Sequence, residues 1–276
     1  MTDATSAQLR DLALDVARAA GELIVRLRTE GVSVAGTKTS EIDIVTEADR
    51  ASERLVRERI HAARPDDGFV GEEGGDLAGT SGVVWIVDPI DGTVNYLYGL
   101  PHFAVSIAAE VDGEVVAGVV LAPSLGLEYV ATPGGGAICN GRPIRTRPVP
   151  PMGERLVGTG FSYEQSARAR QASYIARLLP HVRDIRRLGS CALDLCAVAS
   201  GTLDAYVEEG PHIWDHAAAG LIVAEAGGIL EVTRSAAGKR VLICTPRDGF
   251  DDFRAEVVRA GFVGGEGPNR GSSPGE

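Results

Sequence analysis

The chain has 276 residues, of which 44% are hydrophobic and 24% charged, and its formal net charge is −11. This length and composition are typical of a globular protein with a substantial core. The acidic balance argues against nucleic acid or an acidic membrane surface as a main partner. An anionic ligand would need a positive bridge to this protein, and metal ions are the simplest bridge.

The cysteines form no CxxC pair, and none has a spacing to histidine that suits zinc. We therefore expect reduced, mostly buried thiols in a cytoplasmic protein. Residues 1–10 contain no apolar core run, so no signal peptide is expected. No apolar stretch is long enough to span a bilayer, so the membrane is not an expected partner.

In the first half of the chain, apolar periodicity predicts two amphipathic helices, at residues 6–30 and 47–64. The segment 37–45 between them is polar and then extended. Further along, period-two patterns separated by turn residues predict strands. The predicted elements are strands at 69–70 and 83–87, a short helix at 93–98, and strands at 103–111, 114–121, 128–132 and 136–139.

The second half follows a proline-containing break at residues 148–151 and alternates between strands and helices. The predicted elements are strands at 155–161, 183–187, 203–207, 228–232 and 241–244, and helices at 164–179, 190–199, 213–226 and 250–260. This order predicts an α/β (mixed α+β) protein built in layers. We expect one domain over residues 1–262, in two α/β halves, and a disordered Gly/Pro/Ser/Glu-rich tail at 263–276.

The most informative segment is the apolar strand that leads into Asp88, Pro89, Ile90, Asp91 and Gly92. The proline opposes further strand pairing and the glycine permits a tight turn, so both carboxylates are predicted at a strand end. Ligand sites in layered α/β folds lie at such strand ends. Two carboxylates fixed on a rigid scaffold suit a hard divalent cation such as Mg²⁺.

Two further features point to an anionic ligand. Gly92 and Thr93 begin the short predicted helix directly after the carboxylates, where backbone N–H groups would face an anion. Lys38 is one of only two lysines among 27 basic side chains, and it lies in a polar Gly/Thr/Ser segment. Its compact ammonium would suit phosphate or a metal-bound water, and chance placement is the alternative.

Three more carboxylates are candidates for the same site. Glu72 lies in a glycine-flanked loop, Asp49 near the start of the second helix, and Asp215 near the start of the helix at 213. Each also has a structural explanation, because Glu72 could belong to a solvated loop and the two aspartates could cap their helices. Only tertiary structure can decide whether these residues meet Asp88 and Asp91.

Several ordered motifs carry a resemblance to a known family. They are Gly71-Glu72-Glu73, Trp85-Ile86-Val87-Asp88-Pro89-Ile90-Asp91-Gly92-Thr93-Val94-Asn95-Tyr96, Trp214-Asp215-His216-Ala217-Ala218-Ala219-Gly220 and Glu225-Ala226-Gly227-Gly228. With Lys38 and Asp49 at matching spacing, the chain resembles the inositol monophosphatase family over nearly its whole folded length. The resemblance implies a layered αβαβα sandwich of the inositol monophosphatase and fructose-1,6-bisphosphatase type.

The resemblance also implies a metal centre. Glu72, Asp88 and the backbone carbonyl of Ile90 look like ligands of a first metal. Asp88, Asp91 and Asp215 look like ligands of a second. The expected cofactor is Mg²⁺, with two or three ions per site and Mn²⁺ as a substitute.

Catalytic roles follow from the same resemblance. Gly92 and Thr93 would present backbone N–H groups to the phosphate. Glu72 and Thr93 would activate the attacking water, with Asp49 supporting Thr93, and Lys38 is expected among the catalytic residues.

The sugar contacts implied by the resemblance are Asp91 and Glu208, with Ser162 and Cys191 nearby. The implied reaction is hydrolysis of myo-inositol 1-phosphate, or a related sugar monophosphate, by in-line attack of a metal-activated water. The enzymatic alternatives are fructose-1,6-bisphosphatase, histidinol phosphatase and 3′-phosphonucleotide phosphatase. A regulatory protein on the same scaffold is the non-enzymatic alternative. A homodimer and inhibition by lithium are implied as well.

Overall fold

The structure, a computed structural model, describes residues 5–31, 34–37 and 44–264. Lys38, most of the segment 37–45 and the tail from residue 265 onward lie outside the described residues, so the predictions made for them stay predictions. Within the described ranges, the predicted helices and strands are present with small shifts at their ends. None of the helices in these ranges is both long and apolar enough to cross a bilayer.

Seven α-helices and fourteen β-strands lie within the described residues. The helices are α1 Ser6–Glu30, α2 Glu47–Ala63, α3 Thr93–Leu97, α4 Gln165–Leu178, α5 Cys191–Ala199, α6 Ile213–Glu225 and α7 Phe250–Ala260. The strands are β1 Val34–Thr37, β2 Ile44–Thr46, β3 Gly68–Gly71, β4 Val83–Asp91, β5 Ala104–Val111, β6 Glu114–Ala122, β7 Leu127–Ala131, β8 Ala137–Cys139, β9 Arg142–Ile144, β10 Leu156–Thr159, β11 Asp184–Arg186, β12 Ala205–Glu209, β13 Gly228–Arg234 and β14 Arg240–Pro246. The sequence did not predict β9, because it is short and contains Pro143, a residue that is unfavourable in strands.

The strands form two mixed sheets and a separate β1–β2 pair. The seven-stranded sheet has the order β3-β4-β5-β6-β7-β8-β9, in which the β3–β4 pair is parallel and the other pairs are antiparallel. The five-stranded sheet has the order β11-β10-β12-β14-β13. In it, β10 pairs in parallel with β11 and β12, while β14 pairs antiparallel with β12 and β13.

Alternate side chains of a strand face opposite layers of helices, which shows how the sheets stack. On β5, Val105 and Ile107 belong to the core shared with α1 and α2, whereas Ala104 and Ala108 belong to the core shared with α5 and α6. The five-stranded sheet covers the other side of α5 and α6, and its outer face packs on α4 and α7. The layers are therefore helix, sheet, helix, sheet, helix, and the predicted αβαβα sandwich is confirmed.

The strand that carries the central carboxylates ends later than predicted. β4 continues through Pro89 to Asp91, where Asp88 pairs with Ser106 and Asp91 with Ala104. The three residue steps from Asp88 to Asp91 on β4 therefore pair with only two steps on β5, from Ser106 to Ala104. This mismatch defines a β-bulge at Pro89, a residue that has no N–H to donate to the ladder. The bulge holds both carboxylates within the buried strand rather than beyond its end.

Candidate active site

A cavity of about 810 Å³ lies where several elements end. Its wall includes the end of β4, the start of α3, the loop after β10, the N-termini of α5 and α6, and the end of β12. The predicted site residues that line it are Glu72, Asp88, Ile90, Asp91, Gly92, Thr93, Ser162, Cys191, Glu208 and Asp215. The fold therefore brings together residues that are far apart in the chain.

Three of these carboxylates form a compact cluster. One oxygen each of Asp88, Asp91 and Asp215 lies within 4.8 Å of the other two. Burial, followed by the negative charge of Glu72, raises the pKa of Asp88 well above its usual value. Burial likewise raises the pKa of Asp91 to about 7 and that of Asp215 well above its ordinary range. Because buried like charges at this spacing repel one another, the oxygen-only cluster fits a hard divalent cation such as Mg²⁺.

The N-terminus of α5 holds Asp91 in place. Asp91 Oδ2 accepts hydrogen bonds from Ser190 Oγ at 2.5 Å and from the Ala192 backbone N–H at 2.7 Å. Asp91 Oδ1 accepts a weaker one from the Cys191 backbone N–H at 3.3 Å. These donors favour the ionised carboxylate and oppose the effect of burial on its pKa. The second half of the chain thus orients a carboxylate that the first half supplies.

Asp215 both caps a helix and faces the other two carboxylates. It is the third residue of α6, and its Oδ2 accepts a hydrogen bond from the His212 backbone N–H at 2.5 Å. Ser106 Oγ on β5 donates to the Trp214 carbonyl oxygen at 3.3 Å, which fixes the start of α6 against the seven-stranded sheet. The capping explanation is therefore confirmed, and Asp215 also lies in the carboxylate cluster, where its role as a metal ligand stays a prediction.

Glu72 follows β3, the parallel neighbour of β4. Parallel strands end at the same edge of a sheet, and the charge of Glu72 is the largest influence after burial on the pKa of Asp88. The loop is supported from behind by Glu53, whose Oε2 accepts a hydrogen bond from the Glu73 backbone N–H at 2.8 Å. A Cβ at Gly71 would overlap the Glu53 carboxylate, so a larger residue here would displace the side chain that supports the loop.

Thr93, the first residue of α3, is partly buried and hydrogen-bonded to Asp49 of α2. Thr93 Oγ lies 3.1 Å from Asp49 Oδ1 and 3.1 Å from the Ile90 carbonyl oxygen. Asp49 is fully buried, and its Oδ2 accepts hydrogen bonds from the Thr46 backbone N–H at 2.8 Å and from Thr46 Oγ at 2.5 Å. Burial raises the pKa of Asp49 to about 6. Asp49 therefore caps α2 and is also a hydrogen-bond acceptor for the Thr93 hydroxyl.

Gly92 makes the sharp turn from β4 into α3. Its φ is 93°, in the left-handed region, and a Cβ there would lie 2.9 Å from the His102 carbonyl oxygen. Only glycine fits this turn. Asn95 Nδ2 donates to the carbonyl oxygens of His102 and Leu188, both at 2.7 Å, and so ties α3 to the loop that precedes α5.

The predicted sugar contacts line the same cavity. Glu208 accepts a hydrogen bond from the Tyr206 hydroxyl, and burial raises its pKa. Burial also raises the pKa of the Cys191 thiol well above its usual value, so Cys191 is a small neutral wall residue rather than a thiolate nucleophile. The Ser162 backbone N–H donates to Gln171 Oε1 at 2.9 Å.

Some residues of this cavity were not selected from the sequence. Ser190 could have been found as a serine at the first position of a predicted helix, where N-caps occur. Gln171 could have been found as a polar residue at a position of α4 where the helical periodicity predicts an apolar one. Arg187 and the buried Asp194 also line the cavity, and no local pattern marks either one.

Fold and site together define a layered αβαβα protein with a buried, oxygen-rich cluster suited to divalent metal. The model of the inositol monophosphatase family matches residues 6–252. The chain belongs to this family, as its motifs predicted.

Relatives of known sequence or structure cover most of the chain. It is 44% identical to the inositol-1-monophosphatase SuhB of Mycobacterium tuberculosis strain H37Rv, over 90% of this chain and 88% of the relative. It is 40% identical to the Nus factor SuhB of Pseudomonas aeruginosa, over 80% of this chain and 83% of the relative. The solved structure of Mycobacterium tuberculosis SuhB has a TM-score of 0.83 at 39% identity and covers 95% of this chain and 100% of that chain.

Proposed function

We propose that the chain is a Mg²⁺-dependent phosphomonoesterase that hydrolyses myo-inositol 1-phosphate or a closely related polyol monophosphate. The observation that carries the proposal is the convergence of Asp88, Asp91 and Asp215 within 4.8 Å in a cavity that also contains Glu72 and Thr93. Membership of the family and a relative named inositol-1-monophosphatase support the choice of substrate.

The metal end of the cavity, defined by Glu72, Asp88, Asp91 and Asp215, would hold the cations. Glu72, Asp88 and the Ile90 carbonyl are the proposed ligands of one ion, and Asp88, Asp91 and Asp215 those of a second. Bound Mg²⁺ would supply a Lewis acid for the phosphate oxygens and lower the pKa of a coordinated water. Two or three ions per site, with Mn²⁺ as a substitute, are part of the proposal.

The residues of the chain itself would orient the phosphate and the attacking water. The backbone N–H groups of Gly92 and Thr93 are the proposed phosphate donors. The Thr93 hydroxyl can donate a hydrogen bond to Asp49 Oδ1. Its oxygen lone pairs are then free to accept a hydrogen bond from water. Asp49, with a pKa raised to about 6, supports this arrangement while it is ionised. Glu72 is the second group assigned to the water.

The sugar end, defined by Ser162, Cys191 and Glu208, would bind the alcohol part of the substrate. The Glu208 carboxylate can accept hydrogen bonds from hydroxyl groups, and Asp91 is the second proposed contact of the sugar hydroxyls. Cys191 leaves room for a ring because its side chain is small. A phosphate held at one end and hydroxyls held at the other match a polyol monophosphate.

The proposal is tested by phosphate release with Mg²⁺ from myo-inositol 1-phosphate, fructose 1,6-bisphosphate, histidinol phosphate and 3′-phosphoadenosine 5′-phosphate. We expect the highest kcat/KM for inositol 1-phosphate, loss of turnover with EDTA, and recovery with Mg²⁺ or Mn²⁺. A higher kcat/KM for another member of the panel would replace the substrate. Absence of release from all four would favour a non-enzymatic role; one relative is named a Nus factor.

Three broader properties belong to the same proposal. We expect a homodimer, measurable by light scattering, and inhibition of phosphate release by lithium. All four cysteines are free, which supports a reducing compartment such as the cytoplasm and can be tested by cell fractionation. We also expect residues 1–262 to fold as one domain, in a single cooperative unfolding transition.

A further inference from the structure

Gln171 occupies a core-facing position of α4 where an apolar residue is expected. The buried residues of this helix are Ala167, Gln171 and Leu178, and Gln171 is only 1% exposed. A buried amide is unfavourable unless its polar atoms are hydrogen-bonded. The partners of this amide therefore indicate its role.

The amide of Gln171 joins two separate segments of the chain. Its Oε1 accepts a hydrogen bond from the Ser162 backbone N–H at 2.9 Å. Its Nε2 donates to the Glu209 carbonyl oxygen at 2.9 Å and to Glu209 Oε2 at 3.1 Å. Because both N–H donors are used within the protein, Gln171 has little capacity to bind a ligand directly, although it lines the cavity. It acts through the segments that it joins.

Both segments carry proposed sugar contacts. Ser162 lies in the loop between β10 and α4, and Glu209 directly follows Glu208 on β12. Successive residues of a strand point to opposite faces. Glu209 accordingly bonds to α4 in the outer layer, while Glu208 accepts from Tyr206, which belongs to the core around α5 and α6.

The same loop packs directly on the Glu208 carboxylate. A Cβ at Gly160 would overlap this carboxylate, so the loop backbone and the acid are in close contact. The position of the loop relative to the end of β12 therefore decides where the Glu208 oxygens lie. The Gln171 amide bridges these two elements.

We propose that Gln171 is a positioning residue for substrate selection, which holds the loop 160–162 against the end of β12 so that Ser162 and Glu208 face the hydroxyl groups of a polyol phosphate. The inference rests on the proposed function and adds a residue that lies outside the family motifs. None of the hydrogen bonds described for Asp88, Asp91 or Asp215 involves Gln171. Its effect is therefore confined to the alcohol part of the substrate.

The test compares two substrates that share a phosphate ester but differ in hydroxyl groups, inositol 1-phosphate and p-nitrophenyl phosphate. Gln171→Met keeps the length of the side chain and removes its hydrogen bonds. For inositol 1-phosphate we expect kcat/KM to fall by about tenfold, mainly through KM, because two segments lose their anchor. For p-nitrophenyl phosphate we expect wild-type kcat and KM.

Two further variants keep this test decisive. Gln165→Met changes an exposed residue of the same helix and should leave both substrates unaffected. Gly160→Ala displaces the Glu208 carboxylate without altering Gln171, and it should reproduce the selective loss. Equal losses on both substrates, or no loss in Gln171→Met and Gly160→Ala, would overturn the inference. Wild-type protein without activity on inositol 1-phosphate would instead refute the proposed function.

Discussion

At the metal end of the cavity, carboxylates project from the buried strand β4 and from the first turn of α6, while at the sugar end Ser162 and Glu208 depend on a loop and a strand terminus. Asp91 accepts three hydrogen bonds from the start of α5. Ser162 donates one backbone hydrogen bond to Gln171, and its Oγ accepts one from the Glu164 backbone N–H of the same loop. The metal end is thus rigidly defined by the sandwich, whereas the sugar end can change through a few contacts, so we expect reaction chemistry and substrate choice to be separable.

The largest effect is expected from Asp91→Asn, which removes a negative charge from the carboxylate cluster without changing core volume. Turnover of both inositol 1-phosphate and p-nitrophenyl phosphate should fall by more than about a hundredfold, because a proposed metal ligand is lost. Steady-state kinetics with circular dichroism measures activity and fold together. Asp76→Asn, at an exposed loop position, is the matched control and should be unchanged. A near-normal rate in Asp91→Asn would contradict the metal role.

Thr93→Ala should have the next largest effect. It removes the hydroxyl that bonds to Asp49, so kcat should fall by about a hundredfold on both substrates while KM changes little. Thr93→Ser restores a hydroxyl and should recover most of the rate. If the alanine and serine variants had the same kcat, the hydroxyl would have no part in orienting the water.

Glu208→Gln tests the sugar end by itself. The amide keeps the shape of the side chain but accepts hydrogen bonds less strongly than a carboxylate, so KM for inositol 1-phosphate should rise by about tenfold. p-Nitrophenyl phosphate, which lacks hydroxyl groups, should be hydrolysed normally. A loss of similar size on both substrates would show that the two ends of the cavity are not separable.

The smallest effect concerns stability without metal. The pKa of Asp91 is raised in the folded protein to about 7 from an ordinary value of 3.8, so between these values the folded state binds more protons than the unfolded chain. Stability must then fall as pH rises through this window and level off above it. We expect the Tm of EDTA-treated protein to decrease from pH 5 to pH 7.5, and Mg²⁺ to raise Tm more at the higher pH, where the carboxylates are ionised.

The Asp91→Asn variant provides the control for this titration. It should lose part of the pH dependence and part of the Mg²⁺ effect, because the titrating group is gone. A Tm that increases with pH in the metal-free wild type, or an equal Mg²⁺ gain at both pH values, would contradict the assignment of the raised pKa to the metal end.

Local patterns predicted most of the elements and the carboxylates of β4. The apolar run before Asp88, the proline and the glycine were sufficient to place two acids on a stiff segment. The same patterns misplaced the end of β4, because a bulge depends on the pairing with Ser106 and Ala104 of the neighbouring strand. They also missed β9, whose Pro143 is unfavourable for a strand and is accommodated by tertiary pairing with β8.

The convergence of the site could not be derived from local patterns. Asp49 and Asp215 carry the signature of helix caps, and the structure shows that each does cap a helix. Their second partners, Thr93 for one and the β4 carboxylates for the other, lie far away in the chain. A capping signal is local and reports nothing about such distant contacts, so the resemblance to a family was needed to assign these two candidates specific roles at one site.

By itself, the sequence determined the class of the protein, the order of its elements and the residue types needed for divalent metal, since these depend on periodicity, turn chemistry and short motifs. The tertiary structure alone decided that Asp88, Asp91 and Asp215 share one site and that Gln171 joins the loop at Ser162 to the end of β12. The physical reason is that like charges and buried amides are tolerated only where layers packed from distant segments supply partners, and no short stretch of chain contains that information.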